Sequence, residues 1–125
     1  MESSPHIELF YAYAIQSCTE INKLLIALEE NRETKASIDA LFINFRVLKG
    51  YALGLEFKSV ASMAHVLEDV FRVISEGKLK LNLLILTEIK NGMSTLEKLI
   101  ESIKSEEKAA FLVCKARLGS ILSEL

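Results

Sequence analysis

The chain has 125 residues, 50% of them apolar and 26% charged, a globular balance that excludes a disordered segment. That length suits one domain with its own core, spanning residues 1–125, rather than two small ones. Fifteen basic and seventeen acidic residues leave a formal charge of −2, so no overall attraction to nucleic acid or to a membrane surface is expected, and any binding must come from a local patch.

Strand signals are absent, and the hydrophobic periodicity is helical nearly throughout. Ser4 caps a first helix over about 5–30, with Pro5 at its first position, and Phe10, Ala14, Ile21, Leu25 and Leu28 recur on one face before "EENRET" ends it. A second helix over about 35–54 starts near Thr34, carries Ile38, Leu41, Phe42, Phe45, Leu48 and Ala52 as its apolar stripe, and loosens around Gly54. The third, about 58–76, buries Val60, Ala64, Leu67, Phe71 and Ile74 and stops at Gly77, a good residue for the end of a helix. The fourth, about 82–103, places Leu86, Ile89, Met93, Leu96, Ile100 and Ile103 at the 3-4 spacing of bundle packing, with Gly92 as a small-residue packing point. Ser105 is expected to cap a last helix over about 106–123, its apolar face formed by Phe111, Cys114, Leu118 and Ile121. The expected fold is therefore all-α: an antiparallel four-helix bundle with an additional C-terminal helix.

Cys18 and Cys114 belong to no CxxC or Cys/His cluster and read as two free, buried thiols of a reducing compartment. The N-terminal "MESSPHIE" lacks the pattern of a signal peptide, and no apolar run approaches a membrane span, so a cytoplasmic location is expected. Phosphate loops, HExxH and nucleophile elbows are missing, and His6 and His65 with no acid cluster undersupply a metal site. No cofactor, no metal and no enzymatic activity are expected.

What stands out is a polar seam. Arg46, Lys49, Gly50 and Leu53 share one face beside the stripe of the second helix, and His65, Glu68 and Arg72 recur at 3-4 spacing beside that of the third. Read plainly, this is a boundary row of snorkelling basic residues with an ion pair.

The stretch "LFINFRVLKGYALGLEFKSVASMAHVLEDVFRVISEGKLKLN" also resembles the histidine phosphotransfer (HPt) domain, most closely the N-terminal phosphotransfer domain of chemotaxis-type histidine kinases. That family reads Phe-Arg-x-x-His-x-x-Lys-Gly on the second helix of a four-helix bundle, faced by His-x-x-Glu on the next. Phe42, Lys49, Gly50, Ala52 and Phe57 match the first pattern and its continuation. His65 and Glu68 match the second, Gly77 and Leu81-Asn82 match the turn into the fourth helix, and no gap is needed from about Leu24 to Asn82.

The departure lies three residues before Lys49, where the family has its phosphoacceptor histidine and this chain has Arg46. Glu56 stands where the family usually has glycine, so Gly54 is expected to supply the flexibility of that turn. Asn44 and Phe45 replace small residues and make the surface bulkier. A phosphotransfer histidine is an exposed imidazole nucleophile oriented by a carboxylate, whereas a guanidinium stays protonated and is a very poor nucleophile.

An Arg46–Glu68 ion pair across the second and third helices is expected in place of the oriented histidine, with His65 and Lys49 beside it, contributing about 0.2–1 kcal/mol if exposed. The resemblance implies a pseudo-HPt module of two-component phosphorelay signalling that cannot carry the phosphoryl group. Its expected partners are the receiver domain of a response regulator or histidine-kinase domains, docked at Lys49, Gly50, Leu53 and Arg72. Two alternatives stand beside it: phosphotransfer through His65, and a structural bundle that associates with another helix or its own copy through exposed residues such as Tyr11, Tyr13 and Leu53.

Overall fold

A computed structural model describes residues 5–30 and 34–124; the side chains of 106–111 and 114 lie outside the described set. The expected cap at Ser4 also falls outside it. Four helices follow in order: α1 (Pro5–Glu29), α2 (Lys35–Gly54), α3 (Lys58–Ser75) and α4 (Leu83–Ser123), with no strand among the described residues.

Local chemistry sets the helix ends. The Thr34 hydroxyl accepts from the Ser37 backbone N–H and the Ser37 hydroxyl accepts from that of Thr34, a reciprocal cap on α2 that leaves two otherwise orphaned donors satisfied. Asn82 caps α4 by accepting from the Ile85 N–H at 2.9 Å. Gly77 closes α3 in the left-handed region at φ 75°, where a side chain would be strained. Between α2 and α3 the chain reverses over Leu55–Phe57, and here the expectation about Gly54 is corrected. Gly54 remains helical, and Glu56 itself adopts φ 64°.

The expected stripes of the first four helices are buried, apart from the half-buried Phe42, and all four helices contribute to one core in which Phe45 stacks on Phe71 at 5.8 Å between ring centroids. α1 packs on α2 and α4, and α3 packs on α2 and α4. Long-range pairs fix how the helices lie. Asp39 near the start of α2 accepts from the Ser75 hydroxyl at the end of α3, 2.7 Å away. On the other side, Tyr11 near the start of α1 donates to Glu101 at 2.7 Å, and Lys90 meets Glu29 at 2.7 Å. A methyl at Gly92 would come within 3.1 Å of Leu67 and Met63, so this glycine is the expected packing point between α4 and α3.

No helix begins at Ser105. α4 runs unbroken for 41 residues, about 60 Å at 1.5 Å per residue, well beyond the 25-residue α1. The reason is local: Ser105 through Lys115 contains neither glycine nor proline, and Glu, Lys, Ala and Leu favour continuation over a cap. Of the apolar face expected there, Leu118 and Ile121 are exposed, as are Leu112, Val113 and Leu122, while the side chains of Phe111 and Cys114 lie outside the described residues. Among the described residues no helix is long and apolar enough to cross a membrane.

Candidate functional site

The seam of α2 and the seam of α3 do meet, with a different pairing from the one expected. Glu68 is buried at 7% exposure among the apolar residues of α3, because its position interrupts the core stripe between Leu67 and Phe71. A carboxylate placed there needs a partner, and the Lys49 ammonium supplies it by donating to Glu68 Oε1 at 2.5 Å. His65, one turn earlier on α3, brings Nδ1 to 3.4 Å from the same oxygen. Lys49, Glu68 and His65 thus form one cluster joining α2 to α3.

Arg46 does not join it. Its side chain is exposed and makes no hydrogen bond or ion pair with a described residue, so the expected Arg46–Glu68 pair gives way to Lys49–Glu68. Helix geometry explains the exchange: Lys49 follows the buried Leu48 and lies half-covered at the α2–α3 boundary, while Arg46 follows the buried Phe45 on the outer side of the stripe.

Arg72, the other expected docking residue, is bound within α3. Its guanidinium reaches Asp69 at 3.5 Å and Glu76 at 2.9 Å. Asp69 also lies 3.4 Å from His65 Nε2, so each ring nitrogen of His65 faces a carboxylate. Asp69 and Glu76 escaped the sequence reading, although their spacing of four from His65 and Arg72 was a visible signal.

Gly50 and Leu53 lie on the open side of α2, exposed with Ile43, Val47 and Tyr51. Tyr11 and Tyr13, expected to be exposed, are half-buried against the core, and the Tyr13 ring packs tilted by 59° against Tyr51 with centroids 4.8 Å apart. A groove of about 490 Å³ runs between α1 and the end of α2, lined by His6, Leu9, Phe10, Tyr13, Gly50, Tyr51, Gly54 and Leu55. No cluster of three or more His, Cys, Asp or Glu side chains poised for a metal occurs among the described residues.

Cys18 is buried on α1 and free. Burial, and secondarily the nearby Glu97 charge, push its thiol up to about 12. Such a thiol is an inert packing group at neutral pH. The side chain of Cys114 lies outside the described residues.

Chemically, the α2–α3 cluster provides a carboxylate held by a cation and a histidine, next to a helix face that presents the Arg46 guanidinium. The chain is similar over 82 residues, 66% of its length, to the chemotaxis protein CheA of Borreliella burgdorferi, with 26% identity. Over 100 residues, 80% of its length, it is 23% identical to the chemotaxis protein CheA of Halobacterium salinarum. These matches cover only 10% and 15% of those two proteins, respectively. No family model matches the chain, and no solved structure does.

Proposed function

We propose that this chain is a pseudo-phosphotransfer module of two-component signalling: an antiparallel four-helix bundle of the HPt type that binds phosphorelay proteins without accepting a phosphoryl group. Its partners are the receiver domain of a response regulator or the domains of a chemotaxis-type histidine kinase, and it acts as a competitor or scaffold rather than as an enzyme. The distant similarity to two CheA proteins supports this context.

The observation that carries the proposal is the contrast between the cluster and its neighbour. Lys49, Glu68 and His65 are assembled across α2 and α3, while the position that would bear the acceptor histidine holds the exposed Arg46. A guanidinium that stays protonated cannot attack phosphorus. His65 is poorly suited as a substitute, because a phosphoryl group added at either ring nitrogen would meet Glu68 or Asp69 and suffer like-charge repulsion. Titration calorimetry of the 125-residue chain against the receiver domains of its own genome tests the proposal. Binding to at least one is expected, and binding to none contradicts it.

A second reading is favoured by one feature, the distal part of α4. Its exposed Leu112, Val113, Leu118, Ile121 and Leu122 suit a helical partner, including a second copy of the chain. Light scattering distinguishes the two: a monomer up to high micromolar concentration removes self-association.

A further inference from the structure

Two features on the side of the bundle away from the α2–α3 cluster are left without a counterpart in the chain. The first is an open groove between α1 and α4. A stretch of about 640 Å³ lined by Ile15, Glu97 and Glu101 continues into one of about 250 Å³ lined by Ile26, Ser94 and Lys90. Ile15 and Ile26 stand 40% and 51% exposed along it, and the exposed Glu97 carboxylate has no ion pair among the described residues. The second is the distal part of α4, where Leu112 and Leu122 are 51% and 69% exposed and Lys115 between them has no charged partner among the described residues.

The two features fit each other in one register. Ile15 lines the groove level with Ile100, and Ile26 level with Lys90. Ile15 and Ile26 are 11 residues apart and Leu112 and Leu122 are 10, about 16.5 and 15 Å along a helix. Laying Leu112 over Ile15 therefore brings Leu122 over Ile26. Lys115 follows Leu112 by three residues and Glu97 precedes Ile100 by three, so the same placement sets the free cation on the free carboxylate. Leu112, Lys115, Gly119 and Leu122 share a face at 3-4-3 spacing. Gly119, with nothing within 4 Å of where a methyl would stand, lets the distal helix come close to Ser94.

The distal segment cannot reach the groove of its own chain, because α4 is one unbroken helix. Glu101 and Leu112 are 11 residues, about three turns, apart, so groove and distal face look out from the same side of α4. That is the condition for a two-fold pair in which each copy both gives a segment and receives one. Resting on the second reading above, we infer that the α1–α4 groove is the receptor for the distal α4 of a second copy, with Leu112 and Leu122 covering Ile15 and Ile26 and Lys115 paired with Glu97 across the interface.

Sedimentation velocity and light scattering of the 125-residue chain, with Lys115→Glu and Glu97→Lys variants alone and mixed, test it. Both positions are exposed and unpaired within the chain, so each variant should keep the parent's helical circular dichroism and melting temperature. The parent should form a dimer at high micromolar concentration, and each charge reversal should weaken association roughly tenfold or more by setting like charges together. An equimolar mixture of the two variants should recover dimers of near-parent affinity, since both reversed pairs are again complementary. A dimer that Glu97→Lys leaves unchanged, or a mixture that shows no recovery, overturns the groove as the receptor while self-association stands. A parent that stays monomeric overturns self-association and the groove together.

Discussion

Glu68 is the residue on which the polar cluster depends, because it is a carboxylate set into a core stripe and held by Lys49. Replacing Lys49 with methionine leaves that carboxylate without its cation and should destabilise the chain by about 1.5–3 kcal/mol in urea unfolding. The double variant Lys49→Met with Glu68→Leu should recover most of the loss, since an apolar pair needs no counter-charge there. Cys18 gives a prediction of the opposite electrostatic kind. Its folded thiol is raised to about 12 from an ordinary 9.0, so the native state binds this proton more tightly than the unfolded chain does. Its contribution is therefore complete below pH 9 and falls away between about pH 9 and 12. In a Cys114→Ser chain, iodoacetamide at pH 8 should modify Cys18 only as fast as the protein unfolds; rapid labelling of the folded chain would contradict its burial.

At the scale of elements, the turn between α2 and α3 is where sequence and backbone are in local conflict. Glu56 occupies a left-handed conformation that costs a side-chain-bearing residue about 1–2 kcal/mol, against the smaller entropic cost of a glycine. Glu56→Gly should therefore raise stability by about 0.5–1 kcal/mol, measured as an increased urea midpoint at unchanged slope. Gly50 within α2 should behave oppositely in two assays. With space for a methyl, Gly50→Ala should stabilise the isolated chain by about 0.5–1 kcal/mol, yet weaken binding of the receiver domain. Weaker stability would mean that an internal contact, not a partner, requires the glycine.

Across the whole molecule, what could be read from sequence was whatever periodicity alone determines. The core stripes of α1 to α4 and the helix starts near Thr34 and Asn82 follow from residue type and spacing, and so does the stop at Gly77. Two features escaped because they depend on three-dimensional competition. Ser105 has the chemistry of a cap, but the helix-forming residues after it continue α4 instead. Arg46 and Lys49 are both long cations near Glu68 in sequence pattern, and only the position of α3 against α2 decides that Lys49 is the one that reaches. Lys49, His65 and Glu68 could thus be singled out from spacing, whereas their pairing and the place of Arg46 outside the cluster could not, and the part of Asp69 and Glu76 was missed. The central claim, that the phosphotransfer frame persists without a usable nucleophile, is tested most directly with labelled ATP and a histidine-kinase domain of the same genome, comparing the parent chain with Arg46→His. No acid-labile label is expected on the parent, and acid-labile label is expected on Arg46→His. Label on the parent that disappears in His65→Ala would contradict it.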